Sequence, residues 1–431
     1  MMIPLTDRAR PRRRSTHATR RCARLAVLAS CAVLSIPAGA FARTPSEAPR
    51  PAPSFHDAVA AAWGRLPQRQ DLAAQGGSAA ARYAAGGAFL PNAPYAIGTY
   101  VNDKALGSNY NYLTAQAEVG TPIWLPGEGR ATQATAQADG AAVEAAIEAA
   151  HLALAAQVLD LAAQASVAAN ARDVAARRLA TSQSLSTDLA RQFRVGEAAQ
   201  SDALAASADA ANTAMTLSNA DAQLAAAQAA LAAVVGTPAV PRLDAPGGPA
   251  LAPGPASAHP RIVAATRAVE AAQAAARLTR IGNRDSPEVG LQGINEKQPG
   301  TKWDTRFGVT IRFPFATEAR NAPRRAAAEQ AITQATVQLT LAQREVAAGF
   351  QQAQAMLAGA ERSSAASTRA AAELDKRRGQ IERAWRVGEM PLIEVVRANA
   401  LAYDAEYARG KASTDLAAAR LRLRLAAGLL P

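Results

Sequence analysis

The sequence predicts a mainly α-helical protein with a small β part: long antiparallel helices, built as two similar halves, with four short strands. Three observations predict this. Hydrophobic residues make up 49% of the 431-residue chain but aromatics only 4%. Alanine fills the difference, and it is the strongest helix former because it loses no side-chain entropy. The tetrapeptide Arg-Val-Gly-Glu occurs twice, 192 residues apart, each time after an aromatic residue. A few stretches break the helical pattern with a period of two, the cleanest being TRFGVTIRFPF at 305–315.

The N-terminus is a targeting segment. Arg8, Arg10, Arg12, Arg13, Arg14, Arg20, Arg21 and Arg24 precede an apolar run over 25–40, and Ala40-Phe41-Ala42 offers a small-residue cleavage site. This pattern predicts a secretory signal peptide over 1–42. The run is shorter than the ~20 residues of a membrane span. The full chain carries +12, and removing the signal leaves 39 basic and 34 acidic residues, a net +5. A nucleic-acid role thereby loses its electrostatic footprint. Both cysteines, Cys22 and Cys31, lie in the signal, so the mature chain has no disulfide. The tetrapeptide Leu-Ala-Ser-Cys at 28–31 resembles a bacterial lipobox, and cleavage before Cys31 would leave a lipid-anchored terminus. The apolar run continues past Cys31, which favours the first reading.

The mature chain divides into a first repeat over 43–238, a linker over 239–258 and a second repeat over 259–431. A second match supports duplication: Pro122 and Pro314 are also 192 apart, and Arg130 and Arg320 are 190 apart. The linker is rich in Pro, Gly and Ala and cannot hold a helix. Each repeat has the same order. A short helical segment comes first, over 54–85 and 259–284. Two strands follow, at 95–101 and 113–122, then 288–294 and 305–313. A very long helix runs over 127–193 and 318–385. The Arg-Val-Gly-Glu turn reverses the chain, and a return helix closes each half over 199–235 and 391–428. Leu217, Leu224 and Leu231 recur at sevens, as do Leu339 with Val346 and Leu374 with Ile381. Seven is the period of a coiled-coil seam. A helix of roughly 67 residues is a rod of about 100 Å, which needs neighbours along its whole length.

The strands admit two readings. In one they are amphipathic hairpins packed on helices. In the other they cross an outer membrane, where strands are about 9–11 residues and alternate apolar-out with polar-in. Tyr95, Tyr100, Tyr110, Tyr112, Trp124, Trp303, Phe313 and Phe315 cluster at the strand ends, as an interfacial aromatic belt would. In that reading Phe307, Val309, Ile311 and Phe313 form the lipid-facing side of the last strand. Four strands cannot close a barrel, and open edges in lipid leave backbone groups unpaired. Several subunits must then pool their strands, and two, three or four all fit the arithmetic.

With these residues in view, the chain resembles the TolC-like outer-membrane efflux channels over about 54–428. The likeness rests on the duplicated order of elements, on AFLPNAPY at 88–95, on VGTPIWLPGEGRATQATAQA at 119–138, and on FRVGEAAQSDALAA and WRVGEMPLIEVVRA around the turns. The strand-entry and strand-exit motifs resemble the heavy-metal-resistance (CzcC-like) branch. The resemblance implies a homotrimer with one shared β-barrel of four strands per protomer, and an α-barrel of paired helices across the periplasm. It also implies docking on a periplasmic adaptor and an inner-membrane efflux pump of the resistance-nodulation-division type, with passive transport. It places acids of a periplasmic gate at Asp202 and Glu394, and Arg397 stands where some members carry a second acid. An acid early in a helix also simply favours the helix dipole, so gate and plain cap both stand. Arg194, Val195, Gly196 and Glu197, with Arg386, Val387, Gly388 and Glu389, are the expected tip and adaptor-docking turns. Gly196 and Gly388 suit left-handed C-caps.

No catalytic constellation accompanies these features. His56, His151 and His259 are scattered, with no acid or cysteine at metal-ligand spacing. No glycine loop cradles phosphate. The chain is therefore expected to be no enzyme and to hold no cofactor. The rival reading is a periplasmic coiled-coil adaptor or scaffold without a channel. Such proteins typically have one helical hairpin between compact β domains, whereas this chain has two hairpins and only four strands.

Overall fold

The computed structural model describes residues 52–104, 107, 109–244 and 258–430. The expected signal peptide, Cys31 and most of the linker lie outside the described residues. The elements run α1 (Phe55–Arg65), α2 (Pro67–Gly86), β1 (Tyr95–Asn102), β2 (Leu113–Pro122), α3 (Glu128–Arg194), α4 (Gln200–Val235), α5 (Pro260–Ile281), β3 (Glu288–Lys297), β4 (Asp304–Arg312), α6 (Glu318–Arg386) and α7 (Leu392–Ala426). The molecule is mainly helical with one small antiparallel sheet.

One element differs from expectation. The single helix foreseen over 54–85 is two, broken at Leu66. The cause is Pro67: its ring drives the preceding residue out of the helical region, and Leu66 sits at φ −68°, ψ 117°. Pro67 then starts α2, where its missing N–H costs nothing. α1 begins with a reciprocal cap, in which Ser54 Oγ accepts from the Asp57 N–H and the Asp57 carboxylate accepts from the Ser54 N–H.

α3 and α6 are 67 and 69 residues long, rods of about 100 Å at 1.5 Å per residue. The remaining helices stack end to end beside them. α2 and α4 both pack on α3, while α5 and α7 lie between α3 and α6. The result is a wall of four helices in cross-section: α2, α3, α5, α6 on the sheet side and α4, α3, α7, α6 on the tip side. Its densest core lies where the stacked helices meet. There Phe55 and Val59 of α1, Val158 and Leu159 of α3, Leu231 of α4 and Leu421 of α7 are buried together. Alanines such as Ala155, Ala162 and Ala165, fully buried, let backbones approach closely.

The wall is unfinished. α3 buries fifteen residues, whereas the longer α6 buries four, because among the described residues no element packs on its outer side. Val337 and Leu341 lie exposed there.

The sheet has strand order β1-β2-β3-β4, all antiparallel, and the β2–β3 pairing joins the two repeats. Its register aligns like with like. One rung holds Ala96, Val119, Leu291 and Val309, and two residues along each strand lies Gly98, Ala117, Gly293 and Phe307. Side chains alternate along a strand, so these share one apolar face with Val289 and Ile311. The rungs between them hold Ile97, Glu118, Gln292 and Gly308, then Thr99, Gln116, Ile294 and Arg306. That face is polar apart from the isoleucines and Val101. β1 and β4 are open edges.

Candidate functional site

Three regions of this frame carry the expected functional residues. In the sheet, Phe307, Val309 and Ile311 project from the apolar face, with Phe307 87% and Ile311 69% exposed. Phe313 falls one residue beyond β4. It stacks edge to face with Phe315, ring centroids 6.1 Å apart, and the Arg284 guanidinium lies over its ring at 4.3 Å. It therefore belongs to the sheet–helix junction rather than to the strand.

The polar face is bonded across strands. Tyr95 Oη lies 3.1 Å from Glu288 and 3.3 Å from Glu118, its one proton shared between the two carboxylates, and Gln116 Nε2 donates to Gln292 at 2.9 Å. Arg306 pairs with Glu296 and, at 3.1 Å, with Asp304, while Arg312 pairs with Glu288 at 3.5 Å. Gly120 makes room for this network, since a Cβ there would come within 2.5 Å of the Tyr95 ring. Below it opens a cleft of about 1000 Å³, lined by Tyr95, Glu288, Arg284, Asp285, Arg320 and Arg324.

A second recess lies along the same helix, in the middle of the wall. Stepping by sevens along α6 from Arg324 and Ala328, which line the cleft, leads to Glu345, Gly349 and Met356. These line a groove of about 780 Å³ with Leu152, Asp160 and His259.

At the far end the two turns share one geometry. Glu197 N–H donates to Gln192 O and Gly196 N–H to Phe193 O, at 2.9 and 3.0 Å. Glu389 N–H to Ala384 O and Gly388 N–H to Trp385 O repeat the pattern at 2.9 Å each. These are paired Schellman bonds, which need a left-handed residue after the helix. Gly196 and Gly388 supply it at φ +84° and +83°. Val195 and Val387 are 67% and 72% exposed, and Arg194, Glu197, Arg386 and Glu389 are exposed beside them. Arg194 Nε bonds the Ala190 carbonyl and Arg386 pairs with Glu382, each within its own helix.

Asp202 and Glu394 are each the third residue of their helices, α4 and α7, whose N-cap positions Ala199 and Pro391 make no side-chain cap bond. Glu394 holds Arg397 at 2.8 Å, so the cation of this turn is engaged by its neighbouring acid. The two turns are joined rather than separate: Leu189, Ala206 and Leu392 are buried together, with Trp385 packed against them.

Sequence reasoning did not find the bonds that tie the two hairpins to each other. Thr181 and Tyr403 hydroxyls share a bond of 2.6 Å, Arg177 pairs with Glu406 at 3.1 Å, and Arg422 with Asp160 at 2.6 Å. Asn170 Nδ2 donates to the Tyr407 carbonyl at 3.2 Å and lies on Gly410, where a Cβ would fall 2.2 Å from its side chain. A glycine in the middle of a helix was the available signal, because it commonly marks a close approach. Among the described residues no three His, Cys, Asp or Glu side chains are grouped to hold a metal ion.

This geometry defines a class by its fold: a long helical wall carrying a two-faced sheet with open edges. No family model matches the chain, and no curated protein matches it. Solved structures do. A membrane protein from Pseudomonas aeruginosa matches with TM-score 0.69 and 19% identity over 87% of this chain and 90% of its own. The outer membrane protein VceC from Vibrio cholerae matches with TM-score 0.65 and 17% identity over 87% of this chain and 96% of its own. The open state of the MtrE outer membrane channel of Neisseria gonorrhoeae matches with TM-score 0.67 and 19% identity over 88% and 89%. The chain has the fold of these outer-membrane channels.

Proposed function

We propose that the protein is the outer-membrane channel of a tripartite efflux system, a passive conduit across the periplasm and outer membrane. One observation carries this reading: the register sets Phe307 and Val309 of β4 beside apolar or small partners across all four strands, and Ile311 beside Val289. An exposed apolar sheet face of this kind needs lipid, and its two open edges need partners, since backbone groups in lipid must all be paired. Eight to ten residues per strand suit a tilted crossing of an apolar band about 25 Å tall.

The open edges of the sheet and of the helical wall favour a ring of identical subunits, in which β4 and α6 of one copy meet β1 and the α2–α4 row of the next. Such a head-to-tail contact closes when its rotation closes. The fold shared with outer-membrane channels supports three copies and a twelve-stranded barrel. In that trimer the cleft, the groove and the polar face line the lumen. Asp202 and Glu394 narrow its periplasmic end. The exposed Val195 and Val387 turns meet a periplasmic adaptor, through which an inner-membrane pump, of the resistance-nodulation-division type, drives metal ions or small toxic compounds outward. The motifs at 88–95 and 119–138 support the heavy-metal branch. The rival, a soluble adaptor or scaffold, leaves the apolar sheet face without an environment.

Cell fractionation with crosslinking tests the proposal. Heat-modifiable trimers in the outer membrane are expected, and a soluble periplasmic monomer would refute it.

A further inference from the structure

The joint where α7 meets α5 turns on one imidazole. Beyond α7, Gly428 at φ +81° lies against α5's start, and a Cβ there would come within 2.8 Å of Pro260 and 3.0 Å of His259. His259 is the N-cap of α5. Its Nδ1 accepts from the Arg261 N–H at 3.2 Å, and its carbonyl accepts from Ile262 and Val263 at 2.9 and 3.0 Å. The Leu425 carbonyl, in the last turn of α7, favours the charged form of the ring. With Nδ1 accepting from the start of α5, the ring is neutral and carries its proton on Nε2. The residue is only 7% exposed.

The charges around it come from four helices. Arg261 of α5 pairs with Glu345 of α6, and Arg422 of α7 pairs with Asp160 of α3. All four line the groove with His259. Both acids are already engaged, so no free carboxylate stands ready to receive an imidazolium there.

We propose that His259 is an acid-sensitive splint: a proton on Nδ1 removes the acceptor that caps α5 and sets a cation at that helix's positive end, and the α7–α5 joint loosens. The Leu425 carbonyl favours the cation, as the end of α7 does. Burial and the neighbouring Arg261 outweigh it and hold the imidazole below its ordinary value of 6.5. The sign follows from linkage. The opened joint binds more protons than the closed one between the two values, so the closed joint has its full stability above about pH 6.5 and loses it as pH falls further. α7 carries the second hairpin down to the turns, so acid would slacken that hairpin at its upper attachment. This last step rests on the channel reading; the splint itself does not.

Hydrogen exchange on the assembled protein in detergent tests it, at pH 7.5 and 5.5 with rates corrected for intrinsic chemistry. The segment 259–266 is expected to exchange about fivefold faster in acid, the ratio set by loss of one N-cap. The start of α2, which has no side-chain cap bond, is the internal control and should not change. In His259→Asn, a non-titrating cap, the acid response should vanish. Equal exchange at both pH values, an equal response at α2, or a response surviving in His259→Asn would each overturn the proposal. If His259→Asn does not assemble, the wild-type contrast between α5 and α2 decides alone. Planar-bilayer recordings separate the two readings: absence of any pore beside an intact exchange response refutes the channel and leaves the splint.

Discussion

On the proposed channel reading, arginine placed along β4 should report the depth of each residue in the bilayer. The strand's nine residues span about 30 Å at 3.3 Å each, or roughly 20 Å of membrane thickness when tilted by about 45°. Gly308 is the middle residue, so Val309 lies within about 3 Å of the midplane, while Ile311 is next to the strand's end. A cationic side chain on the lipid face costs about 2–4 kcal/mol at the midplane and about 0–1 near the interface. Val309→Arg, present three times in a trimer, should therefore cost about 6–12 kcal/mol per assembly and abolish heat-modifiable trimers on gels. Ile311→Arg, about 7 Å from the midplane and so still within the ~25 Å apolar band, should reduce them less than Val309→Arg. Gln292→Arg, from the polar face beside Gly308, should assemble normally. Equal yields for Val309→Arg and Gln292→Arg would refute the assignment of faces. Equal loss for Val309→Arg and Ile311→Arg would refute the depth.

Gly410→Ala should lower the thermal stability of the trimer even though alanine favours a helix by about 1 kcal/mol. The new methyl displaces Asn170 and its bond to Tyr407, at a cost of about 1–3 kcal/mol, and adding Asn170→Ala should recover part of the loss in a thermal-shift double-mutant cycle. Asp202→Ala with Glu394→Ala should change single-channel conductance or cation preference in planar bilayers, and unchanged values would leave both residues as favourable charges at helix starts. Gly388→Ala forces a side chain into the left-handed region at a cost of about 1–2 kcal/mol, so it should shift exchange at the second turn while leaving the sheet untouched.

The sequence made the elements legible because each boundary carries its own chemistry. Gly196, Gly236 and Gly388 end helices in the left-handed region, and alternation marked the strands to within a few residues. The two faces of the sheet were readable from single strands, since register only multiplies an alternation already present. The break at Leu66 is not visible to periodicity, because helix-forming segments run on both sides of Pro67 and a proline at a helix start and one inside a helix read alike in sequence. Phe313 was assigned by alternation alone, which does not show where pairing stops. The ties between Thr181 and Tyr403, or Asp160 and Arg422, could not be read. Periodicity tells which face of a helix is apolar, not which distant helix supplies the partner for a polar residue on it.

The two open edges have a consequence for biogenesis. In a head-to-tail ring a dimer still displays one bare edge at each end, the same exposed strand and helix as a monomer. It has formed one contact while losing the freedom of one chain. The third subunit makes two contacts at once, so closure is where the gain is concentrated. Trimer formation should then rise with roughly the third power of chain concentration, with dimers scarce throughout. A chain waiting for partners exposes a ready template for strand pairing, which makes the pace of delivery to the membrane part of what this sequence must survive.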